Sequence, residues 1–341
     1  MKTLLVTGGA GFIGSNFIQY ELEQYEDIQI VNLDKLTYAG NLENLRAIEK
    51  SERYSFFQGD IADRKLVQEI LSHKKFDAVI NFAAETHVDR SISKPDEFLK
   101  TDVFGPFSLL EACRFSDVKR YIQISTDEVY GPIAEGSASE THLLKPSSPY
   151  SAGKGSGDLL CHAYHVTYGL DTIITRAANN YGPYQYPEKF IPLFITNAME
   201  NAPLPLYGDG KQVREWLHVE DHCRAIDMVL RHGQAGEIYN IGGYREEQNI
   251  TIAETILDHL KKPRDLIQYV EDRPGHDIRY SVDASKIQAL GWEPRISIEN
   301  GLKQTVKWYK ENADWWKKLK GNDFKTYYKS QYDKRLKKVK G

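Results

Sequence analysis

Six short apolar runs in the first half of the chain alternate with helix-length amphipathic stretches. The runs cover residues 3–7, 29–33, 55–58, 78–81, 120–125 and 172–176. Alternation of this kind predicts βαβ units, whose strands form a parallel sheet. Ligands of such sheets bind beyond the carboxyl ends of the strands, so we expect the loops that follow these runs to carry the chemistry.

The second half of the chain loses this regular rhythm. Loops rich in Pro and Gly cover 181–187 and 202–210, and a helical stretch around 221–231 precedes a short strand at 238–241. We interpret this half as a smaller lobe that is interleaved with the last strands of the sheet. The predicted organisation is a first domain over 1–185 with 217–245 returning to it, a lobe over 186–216 and 246–320, and a basic C-terminal tail over 321–341.

The composition is that of an ordinary globular protein, with 41% hydrophobic and 27% charged residues. No apolar run approaches the roughly 20 residues that span a bilayer. Residues 1–10 lead directly into a strand-like segment rather than a signal peptide, so we expect a cytoplasmic protein with no membrane partner. The net charge of −4 argues against a nucleic-acid partner. Cys113, Cys161 and Cys223 lack metal-ligand spacing, which predicts buried structural thiols and no metal.

The charge is concentrated at the end of the chain. Residues 317–341 contain ten Lys or Arg against Asp323 and Asp333. A solvated tail is the favoured interpretation of this basic end, and an anionic partner is the alternative.

Three glycines, Gly8, Gly11 and Gly14, follow the first run and open a helix-length stretch. This spacing allows a tight turn, close approach of the backbone to a pyrophosphate, and packing of the helix on the strand. The helix N-terminus adds N–H donors and the positive end of a dipole. The chain is therefore predicted to be an α/β protein, with a Rossmann-type doubly wound parallel sheet and a smaller C-terminal substrate-binding lobe.

Asp34 stands 20 residues beyond Gly14, at the end of the second run. A carboxylate there accepts hydrogen bonds from ribose hydroxyls and repels a 2′-phosphate, so NAD is favoured over NADP. Lys35 argues for NADP, because a basic residue can accommodate the phosphate. Asp60 and Ile61, after the third run, are expected near the adenine, and Asp60 has the alternative role of capping the next helix.

Tyr150 and Lys154 are four residues apart, which places them on one face of a helix. A nearby ammonium and a cationic nicotinamide should lower the pKa of the tyrosine, so that it takes a hydroxyl proton as hydride leaves carbon. Behind a dinucleotide motif, this pair is typical of the short-chain dehydrogenase/reductases.

The segment 125–131 (STDEVYG) follows the fifth run. The Thr126 hydroxyl can hydrogen-bond a reacting oxygen, which is all that a dehydrogenase needs here. The adjacent carboxyl groups of Asp127 and Glu128 go beyond that need, because elimination of water requires both a base and an acid. Unequal environments can separate two carboxyl pKa values so that one group stays protonated. Capping of a surface turn is the alternative role of the pair.

Together these motifs resemble the dTDP-glucose 4,6-dehydratases of the extended short-chain dehydrogenase/reductase superfamily. The resemblance covers nearly the whole chain and rests on segments 7–14 (TGGAGFIG), 34–41 (DKLTYAGN), 81–92 (NFAAETHVDRSI), 126–128 (TDE), 179–184 (NNYGPY), 208–210 (GDG) and 272–277 (DRPGHD). Thr86 stands where the family usually has Ser, and Ala177 and Ala178 stand where it has a Cys-Ser pair. The tail after about Lys320 lies outside the resemblance.

The resemblance implies a mechanism with assigned roles. Tyr150, supported by Lys154, would deprotonate the C4 hydroxyl of a nucleotide-linked hexose as the C4 hydride passes to NAD. The resulting ketone would acidify the C5 hydrogen, which Glu128 would remove while Asp127 protonates the departing C6 hydroxyl. Return of the hydride to C6 and reprotonation at C5 would complete the reaction.

The resemblance also implies two sets of binding residues. Besides the glycines, Tyr150 and Lys154, the expected NAD contacts are Phe12, Ile13, Asp34, Lys35, Leu36, Thr37, Asp60, Ile61, Phe82, Ala83, Ala84, Thr101 and Asn180. The expected substrate contacts are Thr86, Thr126, Asn179, Lys189, Phe190, Pro205, Leu206, Tyr207, Arg214, Asn249, Arg273 and His276. An arginine pair can hold a diphosphate bidentately, with a surface ion pair as the alternative for any single arginine.

Three other functions stay open at this point. A nucleotide-sugar 4-epimerase shares NAD, Tyr150 and Lys154 but needs no elimination acid and base. A dehydratase for a UDP- or GDP-hexose would share the Asp127–Glu128 pair with an enzyme for dTDP-glucose. A non-catalytic NAD-binding protein could use the same scaffold. The family further implies a homodimer formed through helices beside Tyr150.

Overall fold

A computed structural model describes residues 2–243, 245–272, 277–333 and 335. Within these residues the strands are β1 Thr3–Thr7, β2 Gln29–Asp34, β3 Tyr54–Gln58, β4 Ala78–Asn81, β5 Arg120–Thr126, β6 Thr172–Ala177, β7 Asn179–Tyr181, β8 Leu204–Tyr207, β9 Val213–His218, β10 Ile238–Ile241, β11 Glu246–Gln248 and β12 Ile267–Val270.

The helices of the first half of the chain are α1 Phe12–Gln24, α2 Arg64–His73, α3 Val88–Ser93, α4 Pro95–Leu99, α5 Gly105–Arg114 and α6 Pro149–Tyr168. Those of the second half are α7 Phe190–Met199, α8 Val219–His232, α9 Asn249–Leu260, α10 Ser285–Gln288, α11 Ile298–Glu311, α12 Ala313–Leu319 and α13 Asn322–Tyr328. Short 3₁₀ or π turns occupy Leu42–Leu45, Lys100–Phe104, Asp127–Tyr130, Arg264–Leu266 and Lys329–Asp333.

Seven strands form one parallel sheet in the order β10-β6-β5-β4-β1-β2-β3. Helices cover both faces of this sheet, and side chains alternate between the two faces along a strand, so the central strands are buried on both sides. In β1, Leu4 and Val6 pack with α1 and α8 on one face, whereas Leu5 packs with α2, α5 and α6 on the other. The predicted Rossmann-type doubly wound parallel sheet is confirmed, and the three cysteines are free and buried.

Parts of the second half of the chain form a lobe with its own hydrophobic core, whereas α8 and β10 pack with the main sheet. The lobe contains a two-stranded sheet of β8 and β12 and a three-stranded sheet of β7, β9 and β11. Its core contains side chains of α7, α9, α11 and α12, among them Phe194, Ile256, Leu302 and Trp316. Among the described residues, no helix is both long and apolar enough to cross a membrane.

The solvated tail predicted for residues 321–341 is wrong for the part of it that the structure describes. Phe324 and Tyr332 are buried in the core of the lobe, and Tyr328 packs against it. These three aromatic residues recur every fourth position, so a helical conformation aligns them on one face. Lysines lie between these aromatic residues in the sequence, so the segment as a whole looks basic and its apolar stripe is easily overlooked.

Candidate active site

The carboxyl ends of the central strands open into a cavity, which we name the sheet-edge cavity. Its walls include Gly8 after β1, Asp34 at the end of β2, Phe82 after β4, and residues 124–128 at the end of β5 and just beyond it. A second cavity, the lobe cavity, lies between this edge and the lobe. The two share Thr86, Glu128, Asn179, Asn180, Gln185, Glu188 and Lys189, so they are continuous.

The first turn of α1 supplies donors to the sheet-edge cavity. Gly11 is the N-cap of α1 and no side chain caps this end, so backbone N–H groups of the first turn are available to a ligand. Gly8 has a φ of +68°, and a Cβ there would lie 2.5 Å from the Ala83 nitrogen. Only glycine fits that crossing of two loops. This cradle fits a pyrophosphate at a helix N-terminus.

Asp34 provides the carboxylate that the sequence predicts for a ribose. Its two oxygens accept hydrogen bonds from the backbone nitrogens of Ala10, at 2.9 Å, and Leu36, at 2.8 Å. Burial raises the pKa of Asp34, and these two bonds oppose the rise. The ammonium of Lys35 lies 3.0 Å from a carboxylate oxygen of Asp60, so this carboxylate competes with a 2′-phosphate for its positive charge.

Nearly all the predicted NAD contacts line the sheet-edge cavity. Leu36 is not among the lining residues; it contributes the backbone N–H that braces Asp34. The alternative role of Asp60 as the helix cap is wrong, because Asp63 caps α2 by accepting from the nitrogens of Lys65 and Leu66. The lining residues that were predicted are Gly8, Gly11, Phe12, Ile13, Gly14, Asp34, Lys35, Thr37, Asp60, Ile61, Phe82, Ala83, Ala84, Thr101, Tyr150, Lys154 and Asn180.

Tyr150 and Lys154 project from the first turns of α6 into the same cavity. A reciprocal capping box between Ser148 and Ser151 starts this helix. Tyr150 and Lys154 are both buried, and the Lys154 ammonium donates to the carbonyl oxygen of Ile124. This hydrogen bond holds the Lys154 ammonium against β5, and the side chains of Tyr150 and Lys154 line the same cavity.

The expected lowering of the Tyr150 pKa is wrong for the protein by itself. Burial raises this pKa well above its usual value, the negative charges of Glu128 and Asp102 add to the rise, and a hydrogen bond with Thr126 opposes it. The expectation relied partly on the positive charge of a nicotinamide, which enters with the cofactor. Without that charge, the phenol of Tyr150 is protonated at neutral pH.

Asp127 and Glu128 follow β5 in a 3₁₀ turn. The Thr126 hydroxyl accepts from the Glu128 nitrogen at 3.2 Å and donates to Asp127 Oδ1 at 3.1 Å. Burial, followed by the charge of Glu128, raises the pKa of Asp127 to about 8. Asp127 is therefore protonated at neutral pH, as an acid must be. Because Asp127 is buried and both side chains line the sheet-edge cavity, surface-turn capping does not describe the pair.

The lobe cavity collects the predicted substrate residues. Arg273 and His276 lie outside the described residues, and Thr126 lines the sheet-edge cavity. The predicted residues that line the lobe cavity are Thr86, Asn179, Lys189, Phe190, Pro205, Leu206, Tyr207, Arg214 and Asn249. Aromatic rings form part of its wall, with Phe190 and Trp216 stacked at 5.9 Å between centroids.

Arg214 is a buried cation in this cavity. Its guanidinium donates to the carbonyl oxygens of Asp277, at 2.8 Å, and Val213, at 2.8 Å, and lies over the ring of Tyr280. With the residue only 6% exposed, the surface ion pair considered as an alternative does not apply. A fixed, planar guanidinium of this kind suits a phosphate ligand.

Known proteins match this chain over most of its length. A family model described as GDP-mannose 4,6 dehydratase matches residues 5–305. The dTDP-glucose 4,6-dehydratase of Streptomyces niveus is 50% identical over an alignment of 328 residues, and the alignment covers 95% of this chain and 97% of the relative. The chain belongs to the dTDP-glucose 4,6-dehydratase family.

Two solved structures of this family have the same fold. DesIV from Streptomyces venezuelae, crystallised with NAD, is 50% identical with a TM-score of 0.91, covering 93% of this chain and 99% of its own. The Bacillus anthracis enzyme, in complex with NAD, is 48% identical with a TM-score of 0.88, covering 94% of this chain and all of its own, at 100%.

Several cavity residues were missed from the sequence. Trp216 could have been found, because it lies two positions from Arg214 on β9 and so faces the same side of the strand. Gln185 and Glu188 directly follow the motif at 179–184. No signal in the predicted tail pointed to Tyr332 beyond the repeat of aromatic residues. The missed residues that line the lobe cavity include Asp89, Gln185, Glu188, Trp216, Tyr280 and Tyr332.

Asp34 should set the preference of this dehydratase-family protein for NAD over NADP. In the Asp34→Asn variant we expect the ratio of the Kd for NADP to the Kd for NAD to fall by about tenfold, because a charge repelling the 2′-phosphate is removed. Titration calorimetry of both dinucleotides measures the ratio. Asp63→Asn, which keeps a capping side chain outside the cavity, serves as the control, and an unchanged ratio in Asp34→Asn would contradict this role.

Proposed function

We propose that this chain is a dTDP-glucose 4,6-dehydratase, converting dTDP-glucose to dTDP-4-keto-6-deoxyglucose. The observation that carries the proposal is the pair of Asp127 and Glu128: one carboxyl group is buried and protonated, and its neighbour stands where the two cavities meet. We further propose that 1–185 with 217–245 hold the cofactor, and that 186–216 with 246–320 hold the nucleotide sugar.

The residues at the sheet edge fit NAD, which when bound supplies a hydride acceptor for C4 and a hydride donor for C6 of the hexose. Tyr150 takes the proton of the C4 hydroxyl, and Thr126 orients that oxygen. The positive charge of Lys154 stabilises the phenolate that this chemistry requires. The Ile124 carbonyl holds the Lys154 ammonium in place.

The elimination step belongs to the two carboxyl groups. The 4-ketone acidifies the C5 hydrogen, and Glu128 removes that proton. Asp127 donates its proton to the C6 hydroxyl, which leaves as water. Their roles differ because burial keeps Asp127 protonated, in the way that unequal environments separate carboxyl pairs in other enzymes. Return of the hydride to C6 and of a proton to C5 completes the reaction.

An isotopic label tests this reaction directly. Substrate with deuterium at C4 is expected to yield product with deuterium at C6, because the hydride leaves and returns within one enclosed site. Mass spectrometry and NMR of the product locate the label. Deuterium kept at C4, as the competing 4-epimerase reaction would leave it, or deuterium lost to solvent contradicts the proposal.

The pKa of Asp127 predicts a limit on the alkaline side of the pH profile. The acid form is present below about 8 and is lost as pH rises through that value, so kcat should fall above pH about 8. Asp102 is a second buried carboxyl group whose pKa burial raises to about 8. Because we assign the fall in kcat above pH about 8 to Asp127, the Asp102→Asn variant should still show this alkaline limb of the profile. Disappearance of the limb in that variant would reassign it to Asp102.

The choice among nucleotides rests on relatives that are named for dTDP-glucose. An epimerase would have no use for a protonated acid beside a base, so the site favours the dehydratase. Comparison of kcat/KM for dTDP-, UDP- and GDP-linked hexoses ranks the substrates, and a UDP- or GDP-hexose ranked first would contradict dTDP-glucose.

We also propose a cytoplasmic homodimer. Large apolar side chains on α4, the following turn and α6 are exposed, among them Leu99 at 51%, Phe104 at 60%, Leu159 at 61% and Val166 at 68%. An exposed apolar patch on packed helices suits a second copy of the chain. Sedimentation of the purified protein tests this, and a monomer at micromolar concentration would contradict it.

A further inference from the structure

A buried arginine of the central sheet contacts both elements that carry the proposed catalytic groups. Arg176 lies on β6, opposite Ser125 of β5 in the parallel register. The residue is 3% exposed and lines neither cavity. Because an unpaired charge in a protein interior is strongly destabilising, a buried guanidinium needs partners. The partners of Arg176 therefore define what this residue holds in place.

The first partner of Arg176 lies on α6. Arg176 Nε donates to Asp158 Oδ2 at 2.9 Å, and Asp158 is 1% exposed. Asp158 follows Lys154 by four residues, as Lys154 follows Tyr150. Residues at this spacing lie one above the other at successive turns of a helix. The ion pair thus ties the helix that carries the phenol and the ammonium to β6.

The second partner lies on the 3₁₀ turn Asp127–Tyr130. Arg176 Nη1 donates to the Tyr130 hydroxyl at 2.9 Å, and the guanidinium carbon lies 4.8 Å from the centroid of the Tyr130 ring. The Tyr130 hydroxyl in turn donates to Asn240 Oδ1 of β10 at 2.7 Å. Tyr130 and Asn240 are both buried. These contacts fix the last residue of the turn that carries the two carboxyl groups.

An arginine is suited to join two elements because its guanidinium is planar and presents several donors in a fixed arrangement. Two donors of one rigid group reach Asp158 and Tyr130, so both elements are held against the same side chain. A buried ion pair by itself contributes little to stability, since desolvation of the two charges offsets their attraction. Catalysis gains more from such a group, because a misplacement of about 1 Å can cost about 10²-fold in rate.

We propose that Arg176 is a positioning residue for the dehydration, which holds α6 and the 3₁₀ turn at a fixed separation. Asp158 transmits this restraint to the helix and its phenol, and Tyr130 transmits it to the turn and its carboxyl groups. The inference rests on the proposed function, because a dehydration uses the side chains of both elements in one reaction. Loss of the link to the turn should therefore affect elimination more than oxidation.

Tyr130→Phe tests the link to the turn in the full-length, NAD-loaded protein. The change removes one hydroxyl, while the ring and the Arg176–Asp158 pair remain. We expect release of the 6-deoxy product to slow by about tenfold, because the carboxyl groups lose their fixed position, and C4 oxidation to stay within about twofold of wild type. The Kd for dTDP should be unchanged, because Tyr130 lines neither cavity.

The two steps are followed separately in Tyr130→Phe. Absorbance of the reduced cofactor in a single turnover gives the rate of oxidation, and mass spectrometry of the released sugar gives the rate of product release. Reduced cofactor should accumulate, since its formation is nearly normal and its consumption is slow. A loss of stability alone would not divide the two rates in this way.

Tyr25→Phe is the matched control. The Tyr25 hydroxyl donates to Asp227 at 2.8 Å, and the Arg231 guanidinium carbon lies 3.6 Å from the ring centroid, so a similar Tyr–Arg–Asp arrangement occurs among residues that line neither cavity. This variant should lower Tm without changing either rate. If Tyr130→Phe also lowers only Tm, or slows both steps equally, Arg176 is only structural and the inference is overturned.

Arg176→Lys tests the arginine itself through a double-mutant cycle. Lysine keeps the charge but has no planar fork, so it cannot hold both partners. Product release should slow by about tenfold, and adding Tyr130→Phe should slow it by less than about a further twofold, since both changes break one link. Independent, multiplicative losses would overturn the inference. If Arg176→Lys does not fold, the comparison of Tyr130→Phe with Tyr25→Phe decides.

The wild-type protein decides the proposed function separately. Wild-type protein that releases no 6-deoxy sugar contradicts the proposed function and this inference together, because no elimination would need positioning. Conversion by wild type, combined with wild-type rates in Tyr130→Phe, contradicts the inference alone.

Discussion

The Glu128→Gln variant is expected to oxidise dTDP-glucose at C4 and then to stop. Gln keeps the size of the side chain but cannot take the C5 proton, so water cannot leave. Loss of a positioned base lowers the rate of release of the 6-deoxy product by a factor on the order of 10² to 10⁴. Reduced nicotinamide should meanwhile accumulate on the protein, because the first half of the reaction does not need Glu128.

Two measurements on Glu128→Gln separate the half-reactions. Absorbance of the reduced cofactor follows the first step in a single turnover, and mass spectrometry of the released sugar follows the second. Glu135→Gln, at an exposed carboxylate in the loop beyond the 3₁₀ turn, is the matched control and should behave as wild type. Normal product formation by Glu128→Gln would remove Glu128 from the role of base.

Loss of the Tyr150 hydroxyl should block both half-reactions, the oxidation at C4 and the release of the 6-deoxy product. In Tyr150→Phe we expect no accumulation of reduced cofactor and a fall in kcat on the order of 10² to 10⁴, since no group takes the C4 hydroxyl proton as the hydride leaves. The Kd for dTDP should stay near the wild-type value, because Tyr150 lines the sheet-edge cavity and is absent from the lining of the lobe cavity.

Tyr164→Phe is the control for Tyr150→Phe. Tyr164 lies on the same helix, α6, but donates to Glu111 at 2.8 Å, away from both cavities. It should retain wild-type turnover. Reduction of the cofactor by Tyr150→Phe at the wild-type rate would show that another group takes the C4 proton, and the assignment of Tyr150 would then be wrong.

The cofactor residues could be predicted from the sequence because local patterns place them. The glycines at 8, 11 and 14, and Asp34, lie at the ends of consecutive strands, and parallel strands bring their carboxyl ends to one edge. The same reasoning placed Thr126, Asp127 and Glu128 after β5. Spacing along a helix placed Tyr150 one turn from Lys154.

The protonation states of Tyr150, Asp127 and Glu128 could not be predicted from local sequence patterns. The pKa of Tyr150 was expected to fall, yet burial and two nearby carboxyl groups raise it. Asp127 and Glu128 are adjacent in sequence and chemically similar, and only the burial of Asp127 distinguishes the proposed acid from the proposed base. Desolvation depends on what packs around a side chain, which is decided by residues far away in the chain.

The sequence by itself determined the fold class and the cofactor edge, and it supplied the proposed catalytic side chains, because strand alternation and short motifs encode them within a few residues. The tertiary structure decided which carboxyl group is protonated, that Lys35 is paired with Asp60, and that residues 322–333 pack against the lobe and reach its cavity. Those features depend on contacts between distant segments, such as Gln331 with Asp89 and Tyr207, and no local pattern specifies them.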